Sequence, residues 1–223
     1  MRGEIRVRAL GFVAARFVVG ACFLGLLLLS TGTARASEDA AAFVERLGAD
    51  ATATLADQQL TSLERRETMR SLLLSRFDVA MISRIVLGRH WQSATDQEKA
   101  DFNSLFGDFV VATYGRHLDN YAGEALKVGR AVDKGKRGTL VKSQILRPTG
   151  NPISLNWRLR RVGEEWRVVD LIVEGVSLAL THRAEADSVI RNDNGRIAAL
   201  LDRMRSLIAK TSSESVQPAA GAS

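Results

Sequence analysis

The chain has 223 residues, of which 46% are hydrophobic and 25% are charged, and its formal net charge is +6. This length supports one sizeable hydrophobic core and excludes a large modular enzyme, and the composition excludes both a disordered chain and a protein with many membrane spans. The N-terminal segment has to be set apart before the positive charge is interpreted.

Residues 1–36 have the pattern of a cleaved secretory signal. Arginines at the start precede an uncharged apolar run over residues 17–30, and Ala34, Arg35 and Ala36 form a small-x-small cleavage site. The run is shorter than the roughly 20 apolar residues that a bilayer-spanning helix needs. We therefore predict Sec export into a bacterial periplasm, with cleavage after Ala36.

Cleavage after Ala36 changes the net charge and the cysteine content of the exported chain. Five arginines and Glu4 leave with the signal, so the net charge falls from +6 to +2 and nucleic acid is not expected as a partner. Cys22, the single cysteine, leaves as well. The exported chain therefore has no thiol for a disulfide, a nucleophile or a metal ligand.

The first part of the exported chain has helical patterns. Apolar residues recur at three-to-four spacing over residues 43–55 and 63–77, and a short helix over residues 78–87 is predicted to end at Gly88. Thr95 and Glu98 then form a capping box, which opens an apolar stripe that runs to about residue 123.

The hydrophobic period then changes from that of a helix to that of a strand. Four strands are predicted, over residues 126–132, 139–146, 153–162 and 166–173. Their short, turn-rich connections allow only antiparallel hairpins. Along the third strand apolar and polar residues alternate, so one face of the sheet is dry and the other is wet.

From Ser177 the chain is predicted to be helical again, with an apolar stripe over residues 197–208 and a disordered tail over residues 211–223. The fold class is therefore α+β: N-terminal helices, a four-stranded antiparallel meander and C-terminal helices. Residues 37–210 form a single domain in this interpretation.

Enzyme signatures are weak. His90, His117 and His182 lack the spacing of metal ligands, so neither a metal site nor a cofactor is expected. Ser177 stands in an incomplete nucleophile elbow and is better explained as the N-cap of the helix that follows. An enzyme that acts on lipid or cell-wall material, through Ser177 or a pair of His117 and Asp119, remains an alternative.

The fourth strand is apolar on both faces. Strict alternation places Val169, Leu171 and Val173 on one face and Trp166 and Val168 on the other. Two interpretations follow from this pattern. One is a filled core in a structural or adaptor module, and the other is a cavity for a lipid between the sheet and the helices.

Three stretches resemble the MlaC or toluene-tolerance family of periplasmic phospholipid carriers: residues 77–95, 101–123 and 157–183. The most specific motifs are LGR-x-W followed by A-T, within residues 87–95, and W-x-V-x-D-x-x-x-E-G-V-S over residues 166–177. The resemblance extends in order over most of the exported chain. His182 and Trp157 depart from the family pattern, which leaves the subgroup open.

The resemblance implies a monomeric carrier that moves a phospholipid between an outer-membrane lipoprotein complex and an inner-membrane ABC transporter complex. Its acyl chains would occupy an apolar pocket between sheet and helices, with the headgroup near solvent. Because a related branch of the family is associated with hopanoid biosynthesis, a hopanoid is the alternative ligand.

The predicted lipid-binding residues are apolar side chains on the dry face of the sheet and on the helices expected to cover it. They are Phe77, Met81, Ile82, Ile85, Phe106, Val110, Tyr114, Val141, Ile145, Leu155, Trp157, Leu159, Val169, Leu171, Val173 and Val176.

Arg158 and Arg160 belong to a basic edge on the wet face, with Arg161, Lys134, Lys136 and Arg137. Such an edge would attract anionic headgroups or acidic partner surfaces, and the alternative is an ordinary solvated face.

Overall fold

The computed structural model describes the backbone of residues 31–119 and 121–216, and the side chains of residues 38–115 and 121–212. The predicted signal peptide lies outside the described residues except for residues 31–36, which belong to the first helix. Within the described ranges, no helix combines the length and apolar character needed to cross a bilayer.

Helices flank a single sheet. The N-terminal helices are α1 (Thr31–Ala56), α2 (Ser62–Arg76), α3 (Val79–Leu87), a 3₁₀ turn (Gly88–Trp91) and α4 (Asp96–Asp119). The strands are β1 (Ala125–Asp133), β2 (Thr139–Leu146), β3 (Ile153–Val162), β4 (Glu165–Val173) and β5 (Val176–Ser177), and a 3₁₀ turn (Gly135–Arg137) joins β1 to β2. The C-terminal helices are α5 (Leu178–Asn192) and α6 (Ile197–Val216).

The predicted α+β fold is confirmed, with one additional strand. Neighbouring strands are antiparallel in the order β1-β2-β3-β4-β5. Glu174 and Gly175 connect β4 to β5, and both have positive φ, of 47° and 84°. A two-residue hairpin turn with two positive φ values matches the right-handed twist of the strands. β5 escapes prediction because a two-residue strand has no measurable period.

Side-chain caps set the helix boundaries. The predicted capping box forms, since the Glu98 amide donates to Thr95 Oγ1 at 3.1 Å and the Thr95 amide donates to Glu98 Oε2 at 2.8 Å. Asp78 caps α3 by accepting a hydrogen bond from the Met81 amide at 3.0 Å. Gly88 then ends α3 with a φ of 53° and a ψ of −119°, a conformation that disfavours other residues.

Because β4 contains a β-bulge, the predicted assignment of its side chains to the two faces of the sheet is wrong. Trp157 pairs with Leu171 and Leu159 pairs with Val168, so Val169 is an extra residue in the ladder. Val168 consequently lies on the same face as Leu171, where it is fully buried. Strict alternation had placed the two on opposite faces, because a bulge leaves no simple mark on the hydrophobic period.

Two separate hydrophobic cores hold the domain together. The sheet core packs α1 against the inner face of the sheet, through Ala40, Phe43, Val44, Leu47, Val141, Leu155, Trp157, Leu159 and Val168. The helical core joins α3, α4, α5 and α6, through residues such as Val86, Phe102, Ile190 and Met204. Phe77 packs against both cores, and the Asp78 amide beside it donates to the Val168 carbonyl at 2.9 Å.

The last helix extends beyond its predicted end. α6 continues past Lys210 to Val216, so the beginning of the predicted tail is helical, and residues 217–223 lie outside the described residues. The hydroxyls of Thr211 and Ser212 donate to the carbonyls of Leu207 and Ile208 at 3.1 and 2.9 Å. These bonds back to the preceding turn accommodate short polar residues in a helix.

Asp187 on α5 pairs with the basic side chains of the Gly88–Trp91 turn. Its Oδ1 lies 2.6 Å from Arg89 Nη2 and 2.8 Å from His90 Nε2, and its Oδ2 lies 3.1 Å from Arg191 Nε. The hydrogen bond with His90, helped by the charges of Arg89 and Arg191, holds the pKa of the Asp187 carboxyl below its ordinary value of 3.8. The cluster ties the end of α3 to α5.

Replacing Asp187 with Asn should therefore lower stability at neutral pH. Because the folded pKa lies below the unfolded one, the contribution of the carboxylate is fully present above about pH 3.8 and is lost as the pH falls through the folded pKa. Urea unfolding at a series of pH values should show a gap between wild type and Asp187→Asn that closes in acid.

Asp202→Asn is the matched control, since Asp202 is exposed and pairs with Arg205 on the same helix at 2.9 Å. An equal effect of both substitutions, or a gap that persists in acid, would contradict the assigned role of Asp187.

Candidate functional site

An apolar cavity of about 880 Å³ lies between the inner face of the sheet and helices α1, α2 and α4. Its size is within the roughly 300 to 1,000 Å³ of small-molecule binding pockets. Most of the helical wall is formed by Leu47, Ala51, Leu55, Met69, Leu72, Leu73, Phe102, Phe106, Phe109 and Val110, and α3 and α5 add Ile82, Val86, Leu178, Ala179 and His182. The cavity occupies the space between the two hydrophobic cores.

Most of the predicted lipid-binding residues line this cavity. They are Phe77, Ile82, Phe106, Val110, Tyr114, Ile145, Leu155, Trp157, Val169, Leu171 and Val173. The strand residues of this set extend over β2, β3 and β4, and Val169 reaches the cavity from its position in the bulge. Their role in binding a lipid remains a prediction.

The other predicted residues lie away from the cavity. Val141 and Leu159 are on the dry face, but α1 covers that part of the sheet and both side chains are fully buried in the sheet core. Met81 and Ile85 are partly buried on α3 and do not line the cavity, and Val176 in β5 is 57% exposed. The periodicity that identified the dry face does not show how far along it α1 reaches.

The β3 arginines of the predicted basic edge pair with carboxylates of the chain itself. Arg160 Nε lies 3.1 Å from Asp78 Oδ2, and Arg158 Nε lies 3.9 Å from Asp170 Oδ2. Arg161 lies 3.6 Å from Asp39. Arg158 and Arg160 do not line the cavity, because they alternate with Trp157 and Leu159 and face the other way.

Among the described side chains, Arg147 is the arginine that borders the cavity. It lies just after β2, where its Nε and Nη2 donate to the Asn151 carbonyl at 2.9 and 2.6 Å. Glu124, Tyr121 and Thr52 also line the cavity near this end of the sheet. Hydrogen bonds from the Ala122 and Glu124 amides, and then the charge of Arg147, hold the pKa of Glu124 below its usual range. This end of the cavity therefore carries one cation and one anion.

The indole of Trp157 lies in the sheet wall with its polar atom satisfied. Trp157 Nε1 donates to Ser143 Oγ at 3.0 Å, and the Ser143 hydroxyl donates in turn to the Leu155 carbonyl. Both side chains are buried, so these bonds remove the cost of burying polar groups beside an apolar cavity. The ring is left to present apolar surface.

Asp170 joins the sheet wall to the start of α5. Its carboxylate accepts hydrogen bonds from Ser177 Oγ at 2.7 Å and from the Ala179 amide at 3.1 Å, while Ser177 caps α5 by accepting from the Leu180 amide. The prediction that Ser177 is an N-cap is confirmed. The aspartate and serine of the W-x-V-x-D-x-x-x-E-G-V-S motif are therefore helix-positioning groups.

Sequence reasoning missed a large part of the helical wall. Leu47, Ala51 and Leu55 were recognised as one face of a helix, but nothing in a three-to-four spacing distinguishes a cavity wall from a filled core. Arg147 was missed because it stands in a turn-rich segment, where no pattern reports which way a side chain points. His182 was singled out only as a departure from the family pattern, and it lines the cavity beside Tyr114.

Comparisons with known proteins agree with the resemblance read from the motifs. A family model described as MlaC protein matches residues 45–206. The intermembrane phospholipid transport system binding protein MlaC of Haemophilus influenzae is 26% identical over 117 residues, which are 51% of this chain and 55% of that protein. The toluene tolerance protein ttg2D of Pseudomonas putida is 28% identical over 112 residues, which are 49% of this chain and 52% of that protein.

The chain thus spans about half the length of the curated relatives that it matches. Among solved structures, a phospholipid-binding protein from Ralstonia solanacearum in complex with a phospholipid has a TM-score of 0.68 and 22% identity, covering 77% of this chain and 97% of that chain. This likeness is one of fold. The predicted resemblance is confirmed, and none of these findings supports the hopanoid alternative.

Comparing the stability loss of Leu→Ala substitutions at two leucines on adjacent strands tests whether side chains fill the cavity. Leu159→Ala should cost about 2 to 5 kcal/mol, the usual range for a fully buried core leucine. Leu171→Ala should cost clearly less, because Leu171 lines the cavity and has fewer partner atoms to lose. Urea unfolding of the lipid-free variants measures both, and equal losses would show that the space at Leu171 is filled.

Proposed function

The chain belongs to the MlaC protein family, and from that premise we propose that it is a periplasmic phospholipid carrier. The observation that carries the proposal is the apolar cavity of about 880 Å³ between the sheet and helices α1, α2 and α4. The names of the Haemophilus and Ralstonia proteins, which describe phospholipid transport and phospholipid binding, support the choice of ligand.

The energetics of a lipid in water explain why a carrier needs such a cavity. Two acyl chains hold about 30 methylenes, and exposing them at about 0.8 kcal/mol each would cost on the order of 24 kcal/mol. A wall of leucine, valine and phenylalanine side chains replaces the environment of the bilayer, so transfer between membrane and cavity is close to isoenergetic. The direction of transfer must then be set by partners rather than by the carrier.

The proposed partners are an inner-membrane ABC transporter complex and an outer-membrane lipoprotein complex. The name of the Haemophilus relative, an intermembrane phospholipid transport system binding protein, supports this assignment. Export to the periplasm is supported by the signal pattern of residues 1–36. N-terminal sequencing of the exported protein should find Ser37 as the first residue.

A carrier is favoured over a lipid-acting enzyme by what Ser177 does. Its hydroxyl donates to Asp170 and accepts from the Leu180 amide, so it is engaged as the cap of α5. The side chains of the alternative pair, His117 and Asp119, lie outside the described residues. We propose that the cavity binds its lipid without a chemical step.

Native mass spectrometry of protein purified from the periplasm should reveal a co-purified phospholipid. After removal of that lipid, the protein should take up phospholipid from vesicles, because the cavity offers the chains an environment like the bilayer. A protein that is isolated empty and takes up no phospholipid from vesicles would overturn the proposed function.

Leu171→Glu locates the binding to the cavity, since it places a carboxylate among the acyl chains. Uptake should fall about tenfold or more. Leu146→Glu is the matched control. Leu146 alternates on β2 with the cavity residue Ile145, so it lies on the other face of the sheet, and it is 37% exposed. Circular dichroism establishes that both variants fold. If folded Leu171→Glu takes up as much lipid as Leu146→Glu, the lipid binds elsewhere.

The phosphate of the headgroup is proposed to lie at Arg147. The guanidinium has five N–H donors, and only some of them donate to the Asn151 carbonyl, so the others can donate to a phosphate. Arg147→Gln should weaken phospholipid affinity about tenfold, or 1.4 kcal/mol. Arg137→Gln, which removes the same charge from the exposed turn between β1 and β2, should leave the affinity unchanged. Equal affinities of the two variants in a vesicle titration would place the phosphate elsewhere.

A further inference from the structure

A second cavity, of about 710 Å³, lies within the helical part of the molecule. Its described lining comes entirely from α3, α4, α5 and α6, and it includes the apolar residues Phe109, Val189, Leu200, Met204 and Leu207. Its size also falls within the roughly 300 to 1,000 Å³ of small-molecule pockets.

The two cavities share one layer of side chains. Val86, Phe102, Phe109, Tyr114 and His182 line both of them. Each cavity also has walls of its own, since Val189 and Arg203 line only the second and Val110 and Leu171 line only the first. The second cavity therefore adjoins the first and extends beyond it into the helical part of the molecule.

A chain of hydrogen bonds holds the shared layer in place. His182 Nδ1 lies 2.9 Å from Glu185 Oε2, and His182 Nε2 lies 2.9 Å from Tyr114 Oη. An ionised carboxylate only accepts, so His182 donates from Nδ1 to Glu185 and accepts a hydrogen bond from the Tyr114 hydroxyl at Nε2. Burial, and then the charge of Glu185, raise the pKa of Tyr114, which keeps that hydroxyl protonated. Phe109 packs edge-on against His182, with ring centroids 5.5 Å apart.

The polar residues of the second cavity point to an anionic ligand. Arg203 and Lys210 on α6 contribute cations to its lining. Among the described lining residues the one acidic side chain, Glu185, faces His182. An apolar compartment with cations at its border suits an amphiphile that has a single chain and a negative head.

We propose that the second cavity binds one acyl chain of an anionic single-chain amphiphile, with its head at Arg203, while the first cavity holds a phospholipid. Two sources share this chemistry: a free fatty acid with a carboxylate head, and a lysophospholipid with a phosphate head. The site goes beyond the proposed phospholipid function, because its cations are distinct from Arg147 and part of its wall belongs to it alone.

Native mass spectrometry of phospholipid-loaded protein mixed with palmitate tests the proposal. One palmitate should add to the loaded wild-type protein, and none should add to loaded Val189→Trp, because the indole fills the second cavity only. Lysophosphatidylglycerol in place of palmitate distinguishes the sources: addition of both probes assigns the site to either head, and addition of one assigns it to that head. Loaded wild-type protein that accepts neither probe would overturn the proposal.

A titration of lipid-free protein with a dansyl-labelled fatty acid keeps the test independent of phospholipid binding. Val189→Trp should lose the class of sites that Val110→Trp retains, since Val189 lines only the second cavity and Val110 lines only the first. Arg203→Gln, an exposed substitution that leaves the packing intact, should weaken that class about tenfold. If Val189→Trp and Arg203→Gln both bind the fatty acid as the wild type does, the second site is overturned, even if phospholipid uptake is normal. If the wild-type protein takes up no phospholipid but still binds the fatty acid at the second site, only the proposed function is overturned.

Discussion

An apolar cavity that is not filled by side chains needs walls that stay folded when no ligand is bound. Here that requirement is met by two hydrophobic cores that pack independently, one between α1 and the sheet and one among α3, α4, α5 and α6. Close-packed interiors resist collapse because each wall side chain is already held by neighbours behind it. Phe77 contacts both cores and so connects them. The volume available to a ligand is therefore set by the packing of the two cores, whose members include residues such as Phe77, Phe106 and Leu155 that also line the cavity.

The family motifs have a structural explanation in this arrangement. In the second motif, Asp170 and Ser177 fix the start of α5, and Glu174 and Gly175 form the turn that makes this possible. In the first motif, Gly88 allows Arg89 and the neighbouring His90 to reach Asp187 on α5. Both motifs thus position α5, which contributes Ala179 and His182 to the cavity wall. What identifies the family in sequence is the attachment of this helix, while the binding surface itself is ordinary apolar patterning.

The sequence predicted the class of fold and the bounds of the four long strands closely, because period-two alternation between turn residues is a strong local signal. It predicted the dry face of β3 for the same reason. It could not show the bulge at Val169, which shifts the faces of β4, or the coverage of Val141 and Leu159 by α1, which depends on contacts distant in sequence. Residues of the site that stand outside periodic segments, such as Arg147, carried no signal at all.

The Trp157 ring gives the molecule an internal optical reporter. The chain has three tryptophans, and Trp157 is the one among the described lining residues of the first cavity, whereas Trp91 and Trp166 lie elsewhere. Its Nε1 is committed to Ser143, so the indole does not need water as a hydrogen-bond partner. Exchange of solvent for hydrocarbon beside this ring alters its emission, and the loading of unlabelled protein can be followed from the light it emits.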